Sequence, residues 1–316
     1  MSSRTTPNIL APEVSAEDKK LLAKIEELQG KKYLPEQMLA LVAAVSRLQN
    51  NYLPKVSFAA GKQSLPGETL QKLSSREQRH NGLPILSGKD FPLDMLQVQE
   101  TARALLDLIS TTAPDLGTYA PELAAMLDAQ PDLLEETCHE ILDRSLLDKN
   151  LPRLASWAET YPNAPYFLRF VATSAAMPSI ATVGRILGEE HDSEKVWLHG
   201  HCPVCGNHPL LGRLVDKEGR RMHSCSFCSF EYRVPRMGCP FCLEPESDGS
   251  EYLISEDEPG YLLTVCKGCT TYFKVGDFRA YGRPWFPLLD DFSSLSLDMH
   301  AMRLGYKRPT LSGWGF

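Results

Sequence analysis

Eight of the nine cysteines in this chain stand in four Cys-x-x-Cys pairs: Cys202/Cys205, Cys225/Cys228, Cys239/Cys242 and Cys266/Cys269. A pair at this spacing closes a tight knuckle that aims two thiolates at one point, and two knuckles make a tetrahedral cage of sulfur. Four knuckles therefore read as two metal sites with four sulfurs each. The order of the pairs adds to this. Nineteen residues separate Cys205 from Cys225 and 23 separate Cys242 from Cys266, but only 10 lie between Cys228 and Cys239. Each long gap reads as a hairpin. In the first, Leu210 to Val215 runs out, Asp216-Lys217-Glu218-Gly219 turns, and Arg220 to Ser224 returns. In the second, Glu251 to Ser255 runs out, Glu256 to Gly260 turns, and Tyr261 to Val265 returns. A short aromatic strand follows each second pair, Ser229 to Val234 and Thr270 to Val275. The segment is thus a duplicated unit of knuckle, hairpin, knuckle and strand. Sequential pairing of the knuckles follows most simply. A cross-braced arrangement, first with third and second with fourth, is the alternative.

The elements that must carry these knuckles are mixed. Apolar residues at helical spacing mark Ala16 to Gln29, Pro35 to Asn50, Pro92 to Thr111, Pro121 to Ala129, Pro131 to Leu147 and Leu151 to Glu159 as helices, most opening at or beside a proline. A further helix or pair spans Pro165 to Leu187, bent or split at Pro178. The stretch from Tyr52 to Phe91 is rich in Gly, Pro, Ser and Lys and reads as a long irregular excursion. A polar stretch, Gly188 to Glu194, marks the domain boundary, and Asp290 to Leu304 returns to helix. The expected fold class is α+β: a helical domain over 1–195, a first rubredoxin-like (zinc-ribbon-like) metal unit over 196–237, a second over 238–283, and a C-terminal helical tail over 284–316.

Composition bounds the function. The 316 residues are 43% hydrophobic and 23% charged, as in ordinary globular proteins. No run of about 20 apolar residues is present, and Met1 to Pro7 lacks the apolar core of a secretory signal. A cytoplasmic location follows, where thiols stay reduced and metal is favoured over disulfides. The formal charge of −7 has the wrong sign for a general phosphate binder. The first unit, Cys202 to Arg236, carries six Lys/Arg against three Asp/Glu, with Phe227, Phe230 and Tyr232 as stacking candidates; the second, Cys239 to Val275, carries two against seven. The basic set Arg213, Arg220, Arg221, Arg233 and Arg236 reads as solvated strand faces or a patch for an acidic protein.

Catalytic patterns are missing. There is no phosphate loop of the usual form, no Gly-x-Ser-x-Gly elbow and no His-Glu-x-x-His helix. His199, His201 and His208 flank the first knuckle and read as loop histidines able to tune a ligand. Asp290 and Asp291 have no evident partner in the sequence. Cys138 continues the helical apolar stripe of Leu134 and Ile141, so it reads as a buried core thiol. A nucleophile paired with His139 is disfavoured because neighbours on a helix point apart. Four thiolates suit zinc and iron alike. Closed sulfur sites in hairpin pairs favour zinc on chemical grounds. Cys202-Pro203-Val204-Cys205-Gly206 has the rubredoxin look, with a glycine that lets backbone N–H groups turn toward sulfur, whereas Ser229, Leu243 and Thr270 replace that glycine in the other knuckles.

His201-Cys202-Pro203-Val204-Cys205-Gly206, the three further pairs in this order, the helix around Leu168-Arg169-Phe170-Val171 and the tail Asp290-Asp291-Phe292-Ser293-Ser294-Leu295-Ser296-Leu297-Asp298 with Gly305-Tyr306 resemble the FdhE family of formate dehydrogenase accessory proteins. The specific resemblance covers about the last 150 residues. It implies a cytoplasmic, non-catalytic assembly factor that binds the catalytic subunit of formate dehydrogenases exported after assembly. It also implies two rubredoxin-like sites associated with iron, with Cys202, Cys205, Cys225, Cys228, Cys239, Cys242, Cys266 and Cys269 as ligands. Zinc stays open at one or both sites, since three knuckles depart from the rubredoxin glycine. The alternatives are a zinc-ribbon module for nucleic acid or the transcription machinery, and a small rubredoxin-like electron carrier.

Overall fold

The computed structural model describes residues 16–31, 33–57, 80–143, 151–192, 195–243, 250–254 and 258–310. Among the described residues eight α-helices precede the sheet: α1 Ala16–Gln29, α2 Glu36–Tyr52, α3 Met95–Thr112, α4 Pro114–Gly117, α5 Ala120–Ala129, α6 Leu133–Leu142, α7 Pro152–Thr160 and α8 Phe167–Gly188. Prolines at the first turn start α4, α5 and α7, where a missing N–H costs nothing. The last residues expected of the helix after Pro131, and part of the second turn at 256–257, lie outside the described residues.

Of the two forms expected for this segment, one helix or a pair, the structure has the single helix, and it is not split at Pro178. α8 runs unbroken through it, and its middle is buried on every side. An interior proline removes the N–H that would bond the carbonyl four residues earlier, a loss of about 3 kcal/mol. Here that carbonyl is Ser174 O, and it accepts the side-chain amide of Gln49 at 3.1 Å. A residue 125 positions away in sequence thus supplies the missing donor. By length and composition α8 is apolar enough to cross a membrane, and 72% of its most apolar window is buried inside the protein.

Six strands follow among the described residues: β1 Pro209–Val215, β2 Arg220–Cys225, β3 Glu231–Val234, β4 Ser250–Ile254, β5 Tyr261–Cys266 and β6 Thr271–Gly276. The turn between β1 and β2 is the expected one, with Asp216 and Gly219 both at positive φ. The strands form one sheet in the order β3-β2-β1-β6-β5-β4. Each repeat is an antiparallel meander, and the two join through a parallel contact of β1 with β6 at Gly212/Val275 and Arg213/Gly276. Gly212 is required there: a Cβ on it would lie 2.9 Å from the Phe273 ring.

The tail, expected as one helix over Asp290 to Leu304, is two: α9 Pro287–Ser293 and α10 Leu295–Arg303. The hydroxyls of Ser293 and Ser294 both donate to Asp290 O, at 3.1 and 2.8 Å. Serine competing for backbone in this way ends a helix rather than extending it. One apolar core runs from α1 through α3 and α8 into the first repeat and includes Cys202, Cys205, Cys225 and Cys228. A smaller cluster under the second repeat joins Tyr261, Leu263, Val265 and Tyr272 to Leu297 and Ala301 of α10.

Cys138 sits in the larger core, 2% exposed, and burial pushes its thiol up to about 12. His139 points outward to Glu135 instead. Cys138 is therefore expected to resist iodoacetamide in the native protein at pH 8 and to react fully after denaturation, as mass spectrometry would read directly.

Candidate metal centres

Space groups the knuckles sequentially. Cys202, Cys205, Cys225 and Cys228 bring their sulfurs together in one cluster, and Cys239, Cys242, Cys266 and Cys269 in another, all within 4.8 Å of one another in each. The cross-braced alternative is thereby excluded for this fold. The reason is topological: each hairpin returns its second knuckle beside its first, as in the pairing of Ser250 with Cys266 and Pro209 with Cys225.

Each cluster has the dimensions of a metal cage. Cys202 and Cys228 sulfurs are 3.8 Å apart and Cys205 and Cys225 3.4 Å. In the second cluster Cys239 and Cys269 are 3.6 Å apart and Cys242 and Cys266 3.7 Å. A tetrahedron with metal–sulfur bonds of about 2.3 Å has edges of about 3.8 Å. Backbone amides already face the sulfurs. Val204 N–H donates to Cys202 Sγ and Phe227 N–H to Cys225 Sγ, both at 3.4 Å, and Phe241 N–H donates to Cys239 Sγ at 3.5 Å. The Asn207 side chain donates to Cys205 Sγ at 3.4 Å.

The residue after each second cysteine takes positive φ: Gly206 at 76°, Ser229 at 59°, Leu243 at 61° and Thr270 at 54°. Three of the four are not glycine, so the left-handed turn is imposed by the knuckle and not by residue type. Non-glycine residues in that region carry strain of order 1–3 kcal/mol and persist where the surroundings fix them. The departures from glycine in the sequence thus leave the knuckle geometry unchanged.

The thiols differ in acidity within a cage. Burial pushes Cys202 and Cys228 well above the ordinary thiol value. Cys205 lies well below it because, against its burial, it accepts hydrogen bonds from the other three thiols and from Asn207. Four thiolates crowded in a dry space repel one another, and only a cation offsets that repulsion. The donor set, the edge lengths and the N–H···S bonds all fit a four-coordinate soft metal.

The cages differ in their surroundings. All four sulfurs of the first are buried, and α8 lies directly on them: a Cβ added at Gly184 would meet Cys228 O at 2.7 Å and its Cβ at 2.8 Å. The irregular segment after residue 80 seals another side, with Ile85 and Leu86 N–H groups donating to Pro203 O and Val204 O at 2.9 and 3.0 Å. In the second cage Cys242 is exposed and Cys269 half-buried. Gly184→Ala is therefore expected to lower the melting temperature and weaken metal retention in the first cage, although alanine is the better helix former by about 1 kcal/mol. Thermal unfolding and metal analysis of the variant would check this.

The other candidates are placed as follows. No histidine joins either cage among the described residues. His201 bonds Gly82 O through Nε2 at 2.6 Å, and His208 packs edge-on against Phe241. Phe227 packs edge-on against Phe91, and Tyr232 is fully buried. Arg213 pairs with Glu231 at 2.6 Å, Arg220 with Asp216, and Arg236 donates to Glu218 O. Asp290 and Asp291 do have partners. Lys24 of α1 reaches Asp290 at 2.7 Å, joined by the Tyr261 hydroxyl at 2.6 Å. Lys274 of β6 reaches Asp291 at 2.8 Å and Asp298 at 2.6 Å, and Arg308 reaches Asp291 at 2.6 Å. These lysines are as buried as the aspartates, which no local sequence signal announces.

The fold and the two cages define an α+β protein with paired, rubredoxin-like four-cysteine knuckles on one sheet. Residues 201–236 match the family model described as FdhE, central domain. The chain is 33% identical to an FdhE homolog of Aquifex aeolicus over 142 residues, 44% of this chain and 49% of that protein. It is 25% identical to an FdhE homolog of Haemophilus influenzae over 262 residues, 81% of this chain and 76% of that protein. The crystal structure of the FdhE protein from Pseudomonas aeruginosa superposes with a TM-score of 0.58 at 24% identity, covering 94% of this chain and 93% of that one. The chain thus resembles FdhE proteins in sequence, most specifically around the first knuckle unit, and in fold. The Aquifex match spans about half the length of that relative, while the likeness of fold reaches well into the helical half.

Proposed function

We propose that this protein is an accessory factor in the maturation of formate dehydrogenase, working in the cytoplasm by binding the immature catalytic subunit and not by catalysis. The observation that carries the reading is the pair of closed sulfur cages, in a chain that resembles FdhE proteins, with no open coordination position and no substrate-activating group beside them among the described residues. Cys202, Cys205, Cys225 and Cys228 hold one ion and Cys239, Cys242, Cys266 and Cys269 the other. Iron is the ion the family resemblance favours, with zinc the competing occupant. Iron in four thiolates can take or give one electron without changing ligands; zinc would only cross-link the knuckles. The helical part (1–195) and the tail (284–316) frame the docking surface, and the metal units (196–237 and 238–283) shape it.

A tagged pull-down from a host expressing formate dehydrogenase, treated with nuclease and read by mass spectrometry, tests this. The catalytic subunit is expected to dominate. Recovery of polymerase or ribosomal components that vanish with nuclease would replace the proposal with a nucleic-acid module. One observation favours a second reading, a rubredoxin-like electron carrier: the exposure of Cys242 leaves the second cage within reach of a partner. A colourless protein loaded only with zinc would remove it.

A further inference from the structure

Beside the second cage lies a cavity of about 140 Å³ that the sulfur chemistry does not use. Arg221 and His223, two apart on β2 and so on one face, both line it and are each 2% exposed. His199 lines it from the chain leading into the first knuckle, and Gly238 and Cys239 from the start of the third. Arg221 is held in place, its guanidinium over the Phe273 ring at 5.4 Å and Nη1 donating to Gly238 O at 3.1 Å. The His223 ring packs on the same phenylalanine at 4.8 Å, and neither of its ring nitrogens has a hydrogen-bond partner. None of the residues lining the cavity is acidic.

We propose that this cavity is a binding site for one small oxyanion, a carboxylate or an ion of sulfate size, held by Arg221 and His223. An arginine keeps its charge at any physiological pH, and a neutral imidazole always has one N–H to give. A buried imidazole with both nitrogens idle is costly, and a ligand bridging it to the guanidinium would recover that cost. The small volume and the two polar side chains suit one ion of four or five heavy atoms. Cys239 is the one group of opposite sign at the wall, and in a cage the ion neutralises part of its charge. Leu198, Met237 and Leu243 also line the cavity and are exposed, forming an apolar rim at its mouth.

The test uses the full-length, metal-loaded protein carrying 15N-histidine. It is titrated separately with sodium sulfate and sodium acetate, with sodium chloride holding the ionic strength constant. The His223 ring signals are expected to shift saturably with at least one of the two anions. Arg221→Met, which keeps an unbranched side chain but removes the guanidinium over Phe273, is expected to weaken binding about tenfold or more, and Arg221→Lys to retain part of it. Metal content of each variant confirms that the knuckles are intact. No saturable shift with either anion in the unaltered protein would overturn the proposal, without reliance on any variant folding. So would equal affinity in a metal-loaded Arg221→Met protein.

Discussion

Replacing Cys202 and Cys205 by serine is expected to remove one of two bound ions and to unfold the contact between helices and sheet, whereas Cys242→Ser removes the other ion and leaves most of the fold in place. The difference follows from position. The first cage is part of the main core, wedged under α8 with Gly184 against Cys228. The second stands at the surface, with Cys242 exposed. Metal binding to small thiolate sites supplies about 10–16 kcal/mol of apparent folding free energy. That equals or exceeds the roughly 5–15 kcal/mol by which a whole domain is stable. Loss of the inner ion should therefore bring down everything packed on it. The same asymmetry predicts that a chelator strips one equivalent of metal rapidly and the second only as the protein unfolds. Metal analysis with thermal unfolding would decide. A Cys242→Ser protein that melts as early as the double variant would show that the two cages contribute equally.

The second large effect is expected from Lys274→Met. Lys274 is 1% exposed on its side chain and stands between Asp291 and Asp298, both buried. Tyr272 adds a hydroxyl to Asp298 at 2.7 Å, and Arg308 reaches Asp291 from the other side. Removing one member of a buried pair leaves the other charge unpaired, at a cost of about 3–5 kcal/mol. Urea unfolding should show a loss of that size with an unchanged slope. Adding Asp298→Asn to Lys274→Met should recover part of it, since the orphaned charge is then gone. A loss below about 1 kcal/mol would mean that Arg308 alone neutralises both carboxylates. Lys24→Met, which strands Asp290 beside Tyr261, should act the same way at the junction of α1 with the tail.

Much of this architecture is legible in the order of the amino acids. The knuckle spacing, the two hairpins and the aromatic strands expected over Ser229 to Val234 and Thr270 to Val275 are local features. They depend on residues close in sequence, and among the described residues the strands form within one or two residues of that reading. The helices marked by apolar spacing and first-turn prolines are local in the same sense. Where the fold departs from that reading, a contact outside the local pattern has won. Pro178 left open whether its helix is one or two, and α8 stays single there, with Gln49 supplying a donor to Ser174 O. The tail should be one helix by its apolar stripe, and is two because its serines turn back on Asp290 O. Asp290 and Asp291 look idle in sequence and are the anchors of the tail, because their lysines come from α1 and β6.

The sequence by itself determined that eight thiols would meet in fours, since a knuckle two residues wide and a hairpin that returns to it leave few other ways to close. Only the tertiary structure decided that the two cages are unequal. Identical spacings give one cage sealed beneath α8 and another open to solvent, because burial is set by what the rest of the chain lays over a motif and not by the motif. The same holds for the charges that clasp the tail and for the cavity beside the second cage. Arg221 and His223 read as ordinary strand residues until β6 brings Phe273 across from β1 and encloses them.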